Sequence, residues 1–420
     1  MKKVGVITGS RSDYGIYRPI LEKIVSDSSL HLHLFVTGMH LSPEFGMTVN
    51  VIEQDGFNID DRVEMLLTSD SPAGIATSIG IGTIGFAQVF AKSRIDLLLV
   101  LGDRFEMYAG VAAALPFKIP IAHLHGGEST EGAIDESIRH AITKMSHLHF
   151  VSTAPYARRV MQMGEEPWRV MVSGAPSLDQ LLNATLLNRQ ELALQSGLRI
   201  EEPFVLATYH PVTLEPDLIQ AQLCELLAAL SEVDLPVIFT YPNADLGNHT
   251  IRHMIHAFAK QKRHVQIADN LGTRYYFSLM RYATAMVGNS SSGIIEAASF
   301  KLPVVNVGTR QDGRIRANNV IDADDDRQAI SSAIHTAITP RFRTHLTDLV
   351  NPYGDGHAAE RIVEKIKRTP INDALLRKRF YDTDRVARTP FHSLTCHHPF
   401  DQKIEAQHVV PPNRMGAGVK

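Results

Sequence analysis

The sequence predicts an α/β protein with two Rossmann-like domains facing a central cleft. Three observations predict it. Short β-branched or leucine-rich runs recur, each bounded by Gly, Pro, His or Asp and followed by a longer helix-like segment. Several of them, such as "LLLVL" at 97–101, are continuously apolar, as strands buried on both faces of a parallel sheet must be. The series then restarts after residue 200, and two doubly wound units present their strand carboxyl ends, and hence their binding loops, to one crevice.

Taken in order, the first series is "VGVIT" (4–8), "LHLFVTG" (32–38), "IDLLLVLGD" (95–103), "IPIAHLHGG" (119–127) and "HLHFVST" (147–153). A helix-rich stretch, "VSGAPSLDQLLNATLLNRQELALQSGL", leads to the second series: "FVLATYHP" (204–211), "LPVIFTYPN" (235–243), "HVQIADN" (264–270), "ATAMVGNSSSG" (283–293) and "LPVVNVGTR" (302–310). The expected domains are therefore 1–180 and 181–370. From 371 to 420 the alternation stops, and "HSLTCHHPFDQKIEAQHVVPPNRMGAGVK" mixes His, Pro, Gly and Gln without periodicity, as a loosely packed or partly disordered extension does.

At 420 residues the chain is too long for one ordinary core. Its net charge of -3, from 42 basic and 45 acidic residues, provides no global field for nucleic acid or an anionic membrane, so any phosphate site must be local. Cys224 and Cys396 are far apart, which excludes a disulfide framework or a zinc ribbon. The basic tip "MKK" meets Gly9, Ser10 and Arg11 after only a short apolar run, too short for a secretory leader. No apolar run approaches about 18 residues, so no membrane span is expected and the expected location is the cytoplasm.

The chemistry concentrates at the ends of the strand runs. "HLHGGESTEGAIDE" (123–136) packs two histidines, a glycine pair, Glu128, Glu131, Asp135 and Glu136 directly after a strand. His123 and His125 with a carboxylate suit a metal, but alternate residues of a strand point to opposite faces, so a core role for His123 and proton transfer by the carboxylates is the stronger reading. Gly126 and Gly127 are expected to let the backbone approach a ligand. "LGDRFEMYAG" puts Asp103 and Arg104 at the end of the most apolar run; Asp103 either transfers protons or caps the helix that follows. "GNSSSGIIEAAS" sets Ser290 and Ser291 at a helix start, an anion site or simply a well-capped helix, and Glu296 suits ribose hydroxyls or the helix dipole. "TGSRSDYG" is not G-x-G-x-x-G and offers Arg11 as a cation for a diphosphate. "YHPVT" and "YPNADLGN" place His210, Asn243 and Asp245 at comparable strand ends.

These motifs in this order, with "DESIRHAITKMSHLHF" and "GTRQDGR", resemble the hydrolysing UDP-N-acetylglucosamine 2-epimerases of sialic and legionaminic acid synthesis, over residues 1 to about 370. The resemblance implies a glycosyltransferase-B-like fold, a UDP-sugar in the interdomain cleft, no redox cofactor, no metal and a homo-oligomer. It implies that Asp103, Glu128 and Asp135 surround C1 and C2 of the sugar with His210 beside them, and that Arg11, Arg104, His210, Asn243, Ser290, Ser291, Glu296, Arg310 and Arg314 contact UDP. The chain departs from non-hydrolysing relatives and the animal enzyme in one respect: where they have a glutamate, it has His125. A non-hydrolysing epimerase or a glycosyltransferase on the same fold is the enzymatic alternative, and a silent nucleotide-sugar binding module the non-enzymatic one. Retention of all three carboxylates disfavours the latter.

Overall fold

Apolar runs bounded by turn residues become strands, and the helical segments between them cover both faces. The computed structural model describes residues 1–383 apart from 70, 131–133, 201–202, 213–215, 241–247 and 269–271. Strands β1 (Lys2–Thr8), β2 (Leu30–Thr37), β3 (Asp61–Val63), β4 (Leu97–Leu101), β5 (Ile121–Leu124), β6 (Leu148–Val151) and β7 (Val170–Val172) form a parallel sheet in the order β3-β2-β1-β4-β5-β6-β7. Strands β8 (Val205–Thr208), β9 (Val237–Thr240), β10 (Val265–Ala268), β11 (Ala285–Gly288), β12 (Val304–Val307) and β13 (Val320–Ala323) form a second, in the order β10-β9-β8-β11-β12-β13. The strand order reverses between β1 and β4 and again between β8 and β11, where Val6 pairs with Leu99 and Ala207 with Val287. Such reversals open crevices at the carboxyl ends of the strands. The expected two-domain α/β architecture is present.

Two features depart from the linear reading. The helix Ala358–Arg368, inside the span expected to belong to the second domain, packs on the first sheet. Its apolar stripe (Ala358, Ala359, Ile362, Val363, Ile366) shares a core with Val4, Leu97 and the Tyr17–Ile24 face of helix Arg11–Ser26. The spacing of that stripe marks a buried helix face but carries no label for the sheet it covers. Asp179 caps the returning helix, accepting from the amides of Ala358 and Ala359 at 2.9 and 2.8 Å. Where the two connections cross, Gly354 (φ 123°) lies against Gly174, and a Cβ on Gly354 would stand 3.1 Å from the Gly174 Cα. The first residues of the expected extension are also anchored. Arg169, 1% exposed, donates to the carbonyls of Ala374, Leu375 and Arg377, while Lys378 pairs with buried Glu165 at 2.8 Å. His397, His398 and Cys396 lie outside the described residues.

Helix Pro72–Lys92 bears on the membrane expectation without overturning it. It has 21 residues, of which only the last, Lys92, is charged, and is long and apolar enough to cross a membrane by length and composition. Gly, Ser and Thr interrupt its apolar residues, which hid it from a search for continuous runs. One side is packed in the first domain: Gly74, Ser78, Gly82, Phe86, Val89 and Phe90 are buried, and a Cβ at Gly82 would meet Met65 and Ala109.

The first domain buries several histidines in neutral form. Burial lowers His40 and His147 to about 4 and His123 to about 3, and lowers His149 despite its bond to Glu165. As pH drops below the ordinary value of 6.5, the unfolded chain takes up protons that these sites refuse, so stability must decline. Glu165 acts in the same direction at lower pH. Burial favours its acid form, but His149, Lys144 and Lys378 hold it at about 2, so its contribution is lost as pH falls from 4.5 through that value. Melting temperatures measured from about pH 7 to about pH 4 should therefore fall continuously; a flat profile would mean that these histidines are protonated in the fold.

Candidate active site

At the end of β4 the chain turns at Gly102 (φ 70°) and delivers Asp103 and Arg104. Asp103 does not cap the following helix, whose N-cap is Arg104 with no side-chain cap bond. Its carboxylate instead meets Arg139 in an ion pair. Arg139, 3% exposed, projects from helix Ile134–Met145, also donates to Thr130 Oγ1 at 2.7 Å, and lies 3.5 Å from Glu136. Arg104 turns inward, bonding Glu106 at 2.7 and 3.2 Å and facing Asp13 at 3.8 Å. Burial pushes the Asp13 carboxyl up to about 6 against the pull of Arg104. Arg104 is thus largely engaged within its own domain, whereas Arg11 at the start of its helix is exposed.

Strand β5 ends in the histidine-glycine-carboxylate loop. His123 stays in the core: Nε2 lies 2.8 Å from the Gly102 carbonyl and Nδ1 3.2 Å from the Thr143 hydroxyl. His125 turns away with φ 61°, and its Nδ1 is 2.6 Å from Glu128 Oε1, which also accepts from Ser152 at 2.8 Å. The two imidazoles therefore have separate partners, and no group of three potential ligands that could hold a metal occurs among the described residues. Burial would raise the Glu128 carboxyl, but His125, aided by Arg314 and Arg139, holds it at about 2. Asp135 moves the other way, raised by burial and by neighbouring Asp103. Glu136 accepts from Thr130 N at 2.7 Å and lies 3.0 Å from His140 Nε2; these contacts lower its carboxyl against a burial that would raise it. The glycines also answer a need within their own domain. A Cβ on Gly127 (φ 75°) would stand 2.6 Å from the Tyr156 carbonyl, and one on Gly126 would stand 3.1 Å from both His123 and Thr143. Both let the loop pack down onto its own domain.

The second sheet contributes the facing groups. Asn289, fully buried, holds the His210 backbone at both ends, accepting from its amide at 2.7 Å and donating to its carbonyl at 2.9 Å. The Asn289 carbonyl in turn accepts from Arg310 at 3.1 Å and Gln311 at 2.9 Å. Ser290 caps a single helical turn, Ser291–Ile295, through the Ser292 amide. Glu296, raised by burial, accepts from Ser177 of the interdomain connection at 2.8 Å. Tyr156 of the first domain accepts from the Ile315 amide at 3.2 Å, and Tyr353 donates to the Ile315 carbonyl at 2.9 Å. This brings Arg314 close enough to Glu128 to lower its proton affinity. Asn243, Asp245 and Glu131 lie outside the described residues.

The structure thus gathers Asp103, Glu128, Asp135 and Arg314, and on the second sheet His210, Ser290, Ser291 and Arg310. Sequence reasoning missed Arg139, Ser152, Asn289 and the Tyr156–Tyr353 pair. Arg139 alone carried a local signal, since it follows Asp135 by four residues and Glu136 by three, on one helical face.

The profile of the UDP-N-acetylglucosamine 2-epimerase family matches residues 22–367. A UDP-N,N'-diacetylbacillosamine 2-epimerase (hydrolyzing) of Legionella pneumophila is 38% identical over 90% of this chain and 99% of its own length. A GDP/UDP-N,N'-diacetylbacillosamine 2-epimerase (hydrolyzing) of Campylobacter jejuni is 36% identical over 91% and 99%. In three dimensions the chain is similar to the UDP-GlcNAc 2-epimerase of Neisseria meningitidis bound to UDP-GlcNAc, with a TM-score of 0.75 at 19% identity, covering 88% of this chain and 100% of that one. The shared architecture is two facing parallel sheets of the glycosyltransferase-B type.

Proposed function

Because the chain belongs to the UDP-N-acetylglucosamine 2-epimerase family, we propose that it is a hydrolysing 2-epimerase. It converts UDP-N-acetylglucosamine, or a UDP-2,4-diacetamido-trideoxy-glucose, to UDP and the free manno-configured sugar. The observation that carries this reading is the set of carboxyl groups at the ends of β4 and β5, whose proton affinities are driven apart. Glu128 is held ionised beside His125, and Asp135 is raised toward its acid form beside Asp103. Such a split separates an anion that supports a base, Glu128 beside His125, from an acid, Asp135. The two most similar relatives named above, both hydrolyzing epimerases of diacetamido sugars, support the hydrolytic outcome and that substrate class.

The C2 hydrogen of the sugar is not adjacent to a carbonyl, so it becomes acidic only as the C1–O bond to UDP breaks. Arg310, Ser290, Ser291 and Arg11 bind the diphosphate, and cationic and N–H donors lower the energy of the departing charge. His210, locked by Asn289, lies with them. The His125–Glu128 pair removes the C2 proton, a glycal forms, and Asp135 returns a proton to the opposite face as water adds at C1. Arg139 fixes Asp103 beside Asp135 and keeps its charge compensated.

The test is incubation with each UDP-sugar in deuterated water. UDP and a manno-configured sugar carrying deuterium at C2 are expected. A product that retained its C2 hydrogen would contradict elimination and re-addition, and a gluco-configured product would make the protein a simple nucleotide-sugar hydrolase.

A further inference from the structure

His125 holds a costly position for which packing gives no reason. Its left-handed backbone costs a residue with a side chain about 1–2 kcal/mol, and strain of this kind persists where surrounding bonds fix it. Here they do: the His125 amide donates to the Phe150 carbonyl at 3.0 Å, and Nδ1 lies 2.6 Å from Glu128, itself tied to Ser152. One ring nitrogen is left over. Nε2 is buried with no partner among the described residues, and an unsatisfied buried polar atom costs about 1–3 kcal/mol. Two costs are therefore retained at one residue, at the carboxyl end of a central strand, where this fold class binds its ligands.

Glu128 is poorly suited to react. Its Oε1 already serves two partners, His125 Nδ1 at 2.6 Å and Ser152 at 2.8 Å. An oxygen committed to two donors is a weaker base toward carbon than an imidazole nitrogen whose lone pair has no partner among the described residues.

We propose that His125 Nε2 is the group that takes the proton from C2 of the sugar, and that Glu128 is its positioning residue. This rests on the epimerase reading above. The Nε2 lone pair bonds the C2 hydrogen as a proton, the C2–H pair becomes the C1–C2 double bond, and the C1–O bond breaks with its electrons leaving on UDP. The products of this step are glycal, UDP and an imidazolium paired with Glu128. Protonated Asp135 then bonds its proton to C2 from the opposite face while a water oxygen bonds C1. The proton lost by that water recharges Asp135, and the imidazolium releases its own to solvent. Glu128 fixes which nitrogen is free, as a carboxylate does when it accepts from the other ring N–H.

The experiment compares wild type, His125→Ala and Glu128→Gln on whichever UDP-sugar the wild type turns over. His125→Ala should lose at least about 100-fold in kcat and regain at least about tenfold when imidazole is added. Glu128→Gln should lose only about tenfold, with KM little changed and no gain from imidazole, because the amide oxygen still accepts from Nδ1–H. UDP affinity measured by calorimetry should be the same in all three, which separates lost chemistry from lost fold. His125→Ala within about fivefold of wild type, a deeper loss in Glu128→Gln, or no imidazole rescue overturns the proposal while leaving the epimerase reading in place. A wild type that releases no manno-configured sugar overturns both.

Discussion

Asp135→Asn should cut release of the free sugar by at least about 100-fold while UDP affinity stays at the wild-type level. The expectation follows from an asymmetry between two neighbouring carboxyl groups. Asp103 is ion-paired with Arg139, whereas Asp135 has no ion pair among the described residues, and burial together with Asp103 raises its proton affinity. A carboxyl whose proton affinity is raised next to a compensated anion is placed to donate. Asparagine preserves shape and removes the proton. Because elimination does not need that proton, UDP release should be impaired less than sugar release, and unhydrated glycal should appear in the reaction mixture. Chromatography of quenched samples measures all three species. Equal and near-normal release of UDP and sugar would remove Asp135 from the chemistry.

Gly288→Ala should destabilise the second domain by about 3 kcal/mol or more, from an overpacking cost added to a backbone conformation closed to other residues. Gly288 ends β11, the strand at the reversal of the second sheet, with φ 132°, and a Cβ there would stand 1.9 Å from the Thr208 carbonyl oxygen of β8. Neither backbone can retreat without breaking the ladder that pairs Gly288 with Thr208 and Asn306. The next residue is Asn289, so any displacement also releases His210 and Arg310. Thermal unfolding should show a lowered transition together with weakened UDP binding. An unchanged melting temperature would show that β8 can yield.

Strands proved legible wherever both faces are buried, because burial on two sides leaves a continuous apolar run, as in Leu97–Leu101. Sites at strand ends were legible for a related reason: Asp103, Glu128 and Ser290 are polar groups directly after such runs. What the sequence concealed depends on distance in space. Nothing near Asp103 announces Arg139, and nothing in "NPYGDG" announces that Tyr353 reaches Ile315. The glycine pair was visible, but the close packing it also permits was not, since that depends on the Tyr156 carbonyl and the Thr143 side chain, which are distant in sequence. Helix Pro72–Lys92 escaped for a different reason: small residues chosen for close packing dilute its hydropathy.

The helix Ala358–Arg368 gives the first domain an order of assembly. As the chain leaves the ribosome, β1 through β7 appear long before the segment that closes their core over Val4, Tyr17 and Leu97. At synthesis rates of about 5–20 residues per second, the interval between β7 and that helix is roughly 10–40 s. The second sheet, whose sixth and last strand ends at Ala323, is finished within that interval. The nascent protein thus carries an amino-terminal half with an open apolar groove and a carboxyl-terminal half already complete. Helix Ala358–Arg368 then closes the core of the older half, so the first domain to be started is the second to be completed.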